Sequence, residues 1–209
     1  MKMMFRISCL LLGILTIASI SSAQSADSKR SPTLTAAPPP PPELQSLTRA
    51  LVGKWTTTYE FVPGVMSPTG GRGTGEEVWR VGPGGYVLIE EEHVVTPEEE
   101  VFLIAFHWWD KSTNSLRGML CNNSGPSSCN VDSYFNSTLK WDGKQFVIDM
   151  RFPQGEKKMV WHEVWSDITA TSFIQTGDMG EVNGPLRRAV TIHAVKASTE
   201  TTGVKAVAQ

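Results

Sequence analysis

Gly53-Lys54-Trp55-Thr56-Thr57-Thr58-Tyr59-Glu60-Phe61 is the stretch on which the fold turns. Trp55, Thr57, Tyr59 and Phe61 share one face and Lys54, Thr56, Thr58 and Glu60 the other, the period-two alternation of a half-buried strand. Outward from it, short β-type runs recur at 76–81, 86–95, 101–109, 116–121, 137–141, 145–152, 157–166, 172–176 and 186–196, separated by turn residues. No long helical pattern interrupts them. A train of about ten such runs joined by short turns predicts an all-β fold, an antiparallel up-and-down barrel whose closure leaves no unpaired edge.

Upstream, Leu44, Leu47 and Leu51 recur at helical spacing, Pro42 suits a first helical position and Gly53 can end the turn. This predicts one short amphipathic helix capping an end of the barrel. The glycines at 70, 71, 73 and 75 read as a turn before the second strand. A phosphate loop is excluded, because such a loop leads into a helix and these glycines lead into a strand. Segment 101–109 is apolar on both faces, which fits a strand covered on both sides or one pairing with a second copy of the chain; the pattern leaves both open.

The chain opens in secretory order. Lys2 and Arg6 precede an apolar stretch at 7–20 that is too short to span a bilayer, and Ser21-Ser22-Ala23 offers a cleavage site after Ala23. The expectation is a periplasmic or secreted protein with a signal peptide at 1–23 and no membrane association after cleavage. Cleavage removes two positive charges and no acidic ones, moving the net charge from -2 to -4, which offers nothing basic enough to hold nucleic acid. Residues 24–42 are rich in Ser, Thr, Ala and Pro and read as an extended linker. That leaves a single domain at 43–196 and a short polar tail at 197–209. Cys9 leaves with the signal. In an exported chain the remaining pair, Cys121 and Cys129, reads as a disulfide closing a turn-rich loop, worth about 2.5 kcal/mol by loop entropy. No Cys or His pair has metal-ligand spacing, so no metal and no cofactor are expected.

Leu51-Val52-Gly53-Lys54-Trp55 after a short helix resembles the Gly-x-Trp opening of lipocalin-like, or calycin, barrels. His107-Trp108-Trp109-Asp110 with Gly118, and Trp161-His162-Glu163-Val164-Trp165 before Phe173, are similar to a family of exported bacterial lipocalin-like domains of unknown function. The resemblance spans roughly 44–195. It implies that Trp55, introduced by Gly53, packs at the barrel floor and that a late-strand arginine, Arg187 or Arg188, covers its ring through a cation-π contact. It also brings in nitrobindin, a distantly similar haem-binding barrel with a strand histidine as axial ligand, for which His193 is placed late enough in the chain.

Seven tryptophans are many for this length. Core filling accounts for about four, and the surplus points to a cavity for a flat or apolar ligand. Tyr59, Phe61, Trp109, Trp161 and Trp165 are the candidate walls, with His107 and Glu163 as the polar groups that orient a ligand. Glu163, flanked by Trp161 and Trp165 on one strand face, needs a partner if buried: a ligand, or an arginine such as Arg151 or Arg188. Glu90 and Glu92 share a face, opposite that of Glu91 and His93, so one carboxylate set should point inward. Three readings stand. The first is a barrel binding a small apolar or aromatic molecule without chemistry. The second is a small enzyme using Glu163 or the Glu90/Glu92 face with His107 as acid and base. The third is an interaction module that forms a homodimer through 101–109.

Overall fold

The computed structural model of the chain describes residues 38–64, 67–96, 98–123 and 137–198. The expected signal segment, most of the Pro-rich linker, Cys129 and most of the polar tail lie outside these residues. One helix, α1 (Pro42–Leu51), precedes ten strands: β1 (Gly53–Phe61), β2 (Gly71–Val81), β3 (Val87–Val95), β4 (Glu100–Asp110), β5 (Ser115–Asn122), β6 (Thr138–Trp141), β7 (Phe146–Gln154), β8 (Lys157–Ser166), β9 (Ser172–Glu181) and β10 (Arg187–Lys196). Each strand pairs antiparallel with the next, and β1 also pairs with β10, closing the sheet into a barrel. The alternation seen in the sequence is realised directly: Trp55, Thr57 and Tyr59 are buried and Lys54, Thr56, Thr58 and Glu60 are exposed.

Helix α1 plugs one end. Its leucine stripe, Leu44, Leu47 and Leu51, is wholly buried among Trp55, Trp79, Phe146, Trp165 and Phe173; each leucine contributes about 2 kcal/mol of burial. Gly53 makes the transition to β1 with a φ of 147°, which a residue with a Cβ rarely adopts. This brings Trp55 beneath the helix, where its Nε1 donates to the Leu51 carbonyl at 2.8 Å. The cation over the Trp55 ring is Lys196, its Nζ 4.8 Å from the ring centroid, and the same ammonium donates to the Val52 carbonyl at 3.0 Å. Arg188 does not reach this ring. It sits in the exposed outer row of β10 and pairs with Asp178 at 2.5 Å.

β2 and β9 run furthest beyond their sequence-based bounds: β2 starts at Gly71, absorbing glycines that read as a turn, and β9 runs to Glu181. Gly73 and Gly75 lie opposite Tyr59 and Thr57. A Cβ at Gly75 would run into the His93 carbonyl and come within 2.9 Å of the Thr57 hydroxyl. Gly177 similarly underlies the Trp161 ring, which a Cβ there would strike. These glycines make room for large inward side chains rather than turning the chain.

Strand parity shows which face of the double-sided strand points inward. In β4, Ala105 and His107 are buried inside the barrel while Phe102 is 51% exposed, stacked on His93 with 4.4 Å between ring centroids.

Candidate functional site

The barrel interior has two unlike halves. The half next to α1 is solid: Trp55, Trp79, Trp165, Phe146 and Phe173 are fully buried there, and Trp109 and Trp141 pack against them. The other half, around Tyr59, Val94, Trp161, Val190 and Ile192, encloses a cavity of about 450 Å³. Apolar walls come from around the barrel, including Phe61 of β1, Val101 and Leu103 of β4, Leu120 of β5, Met150 and Phe152 of β7, and Met179 of β9. A broader polar depression of about 870 Å³ lies outside the barrel beside α1, lined by Ser46, Arg49, Asp142 and Lys196 among others.

Four of the seven predicted ligand-site residues, Tyr59, Phe61, Trp161 and Glu163, line the cavity. His107, Trp109 and Trp165 do not: they belong to the solid half. Five of the other tryptophans fill or pack against the solid half, Trp108 lies on the opposite face of β4 from His107, and Trp161 is the one tryptophan among the described lining residues. The walls are built of aliphatic side chains, Met and Phe instead.

The cavity floor is acidic. Glu92 and Glu163 line it, and Glu77 and Glu90 lie buried below. Register brings them together: Glu77 stands opposite Glu92, and Trp79 opposite Glu90, across β2 and β3. Tyr59 donates its hydroxyl hydrogen to Glu92, and Thr57 Oγ1 lies 3.1 Å from the Tyr59 oxygen. Gln175 Nε2 donates to Glu163 at 2.7 Å. Among the described residues no arginine serves Glu163; Arg151 is exposed on β7 and Arg188 is held by Asp178. Trp79 Nε1 donates to Glu77 at 3.0 Å, leaving Glu77 Oε1 without a partner.

Four carboxyls in an apolar interior cannot all stay ionised. Burial, and then the charge of its neighbours, pushes Glu77 and Glu90 well above the usual carboxylate range. Glu92 is raised by burial against the opposing hydrogen bond from Tyr59. Glu163 is raised to about 7, again mainly by burial, with the Gln175 hydrogen bond pulling the other way. The Tyr59 phenol is held protonated by burial and by the neighbouring Glu92 and Glu77 charges.

His107 and Glu90, two members of the acid/base constellation, do meet: Nε2 lies 3.2 Å from Glu90 Oε2. Burial drives the imidazole down to about 3 and the carboxyl up, disfavouring the charged form of each, so the contact has the character of a hydrogen bond rather than of an ion pair. Trp79 stacks on this imidazole at 5.4 Å and Phe146 meets it edge-on at 5.5 Å. Neither His107 nor Glu90 lines the cavity. His193 is exposed between buried Ile192 and Ala194, so parity directs it outward and it cannot serve as an interior haem ligand.

Glu77 and Gln175 escaped the sequence reading. The signal was available: Glu77 shares a strand face with Trp79, and Gln175 shares one with Phe173.

No family model matches the chain, and no curated protein matches it. Solved structures do. Rv2717c from M. tuberculosis superposes with a TM-score of 0.51 at 13% identity, covering 76% of this chain and 99% of that one. The S-type phycobiliprotein lyase CPES from Guillardia theta gives 0.45 at 9% identity, over 76% of this chain and 94% of its own. The fold is that of a lipocalin-like barrel. At these identities the likeness concerns the fold alone.

Proposed function

We propose that this protein binds a small, largely apolar molecule in the open half of its barrel and releases it unchanged. The observation that carries the reading is the cavity of about 450 Å³, with apolar walls from many strands and a few polar groups gathered at its floor. That is the general form of a small-molecule site, in which apolar surface supplies affinity and convergent polar groups fix orientation. The acid/base alternative has less support, because its histidine lies in the solid half.

The test is a titration with N-phenyl-1-naphthylamine, whose fluorescence rises on entering an apolar site, followed by the same titration of the cavity-filling variant Met150→Trp. Met150 lines the cavity and is not part of the solid half, so the variant removes space without unseating α1. One saturable site that disappears in the variant supports the reading. Absence of saturable binding, or binding indifferent to the filled cavity, overturns it. Export with cleavage after Ala23, and a bond between Cys121 and Cys129, belong to the same proposal and rest on the order of residues in the sequence.

A further inference from the structure

The polar groups at the cavity floor are of one kind. Glu92 and Glu163 offer carboxyl oxygens, and Gln175, only 4% exposed, is a further lining residue whose Oε1 is buried and has no hydrogen-bond partner among the described residues. The amide of Gln175 is oriented by its own donation to Glu163. The protein's donors at the floor are already engaged, Tyr59 with Glu92 and Gln175 Nε2 with Glu163. Among the described lining residues the single cation is Arg72, at the exposed rim and paired with Glu60 at 3.4 Å. The floor therefore holds carboxyls that ionise only at a cost in an apolar surround, with no buried basic partner among the described lining residues. Such an arrangement is costly when empty and favourable when a donor-bearing cation enters.

We infer that the ligand is an organic cation: an apolar body carrying a protonated amine, whose N–H groups bond Glu163 and Glu92 while the body fills the space between Phe61, Val101, Met150 and Met179. The inference rests on the ligand-binding reading above and narrows it to a chemical class. Glu163 lies on β8 and is faced by Glu92 of β3 and Gln175 of β9, with Glu77 of β2 and Tyr59 of β1 behind them, while His162 is its titratable neighbour on β8. An ammonium at this point lowers the mutual repulsion of all the carboxyls, not of one alone. A carboxylate headgroup would add to it.

The experiment uses three probes of one shape, decylamine, decanol and decanoate, each displacing N-phenyl-1-naphthylamine from the folded barrel near neutral pH. Decylamine should bind about tenfold or more tighter than decanol, and decanoate weakest. Glu163→Gln should lower decylamine affinity far more than decanol affinity and so erase most of the preference for the amine, and Glu92→Gln provides the same comparison from the facing strand. If decylamine and decanol bind equally, or decanoate binds best, the cation inference falls while the cavity reading survives. If none of the three displaces the probe and the probe itself does not bind, the ligand-binding reading has failed. Equal loss of all three affinities in both variants would assign the carboxyls a structural part and overturn the inference.

Discussion

Replacing Glu163 by glutamine should stabilise the protein, and only above a definable pH. The carboxyl ionises near 4.5 when solvated and near 7 in the folded barrel. Below about 4.5 both the folded and unfolded chains hold the proton, so the group costs nothing. As pH rises, the unfolded chain releases its proton first, and the folded state loses stability until its own carboxyl ionises near 7. Moving the ionisation from 4.5 to about 7 corresponds to about 3 kcal/mol, at about 1.4 kcal/mol for each tenfold. Glutamine keeps the shape and an acceptor for Gln175 Nε2 but has no proton to lose. The two proteins should therefore unfold alike near pH 4.5 and diverge until, at about pH 8, the variant melts about 6–12 °C higher. Urea titrations followed by circular dichroism across this range give the difference directly. Glu77, Glu90 and Glu92 tilt both curves the same way and largely cancel in the comparison. Parallel curves from about pH 5 to 8 would refute the reasoning, as would a variant less stable at high pH.

Other consequences follow from neighbouring contacts. Lys196→Met should cost about 1 kcal/mol in urea unfolding and shift the Trp55 emission, because it removes both the cation over that ring and the bond to the Val52 carbonyl. Gly177→Ala drives a Cβ into the Trp161 ring and within 3.0 Å of Val190, which should cost about 1–3 kcal/mol and weaken probe binding together. The mature chain should take up a thiol reagent at Cys121 and Cys129 only after reduction, read by mass; labelling of the unreduced chain would remove the disulfide.

The fold was legible because its strongest signals are local. Alternation in β1, β7 and β8 reports a wall with an inside and an outside, and the leucine spacing of α1 reports a stripe facing that wall. What misled was glycine: the run at 71, 73 and 75 reads as a turn but extends β2, where Gly75 leaves room for Thr57 and Tyr59, as Gly177 of β9 does for Trp161, relations visible only once β2 and β9 are paired with their neighbours. The site was half legible for a related reason. Parity tells which side chains face inward but not how far along the barrel axis each lies. Tyr59 and Trp161 fall in the open half, whereas His107 and Trp165, equally inward, fall under the helix. Likewise the cover of Trp55 depends on the register of β10 against β1, where Lys196 stands opposite Trp55. Arg188 lies further from that end than any single-sequence argument could measure.

The central claim is that the open half of the barrel, and not the solid half, receives a ligand. Trp161 is the reporter, since the other described tryptophans lie away from the cavity lining. Titrating decylamine into the native protein while recording tryptophan emission, and repeating it with Trp161→Phe, tests the claim most directly. A saturable change that vanishes in the variant is the predicted result; a change that persists at full amplitude without Trp161, or no saturable change in the native protein, contradicts it.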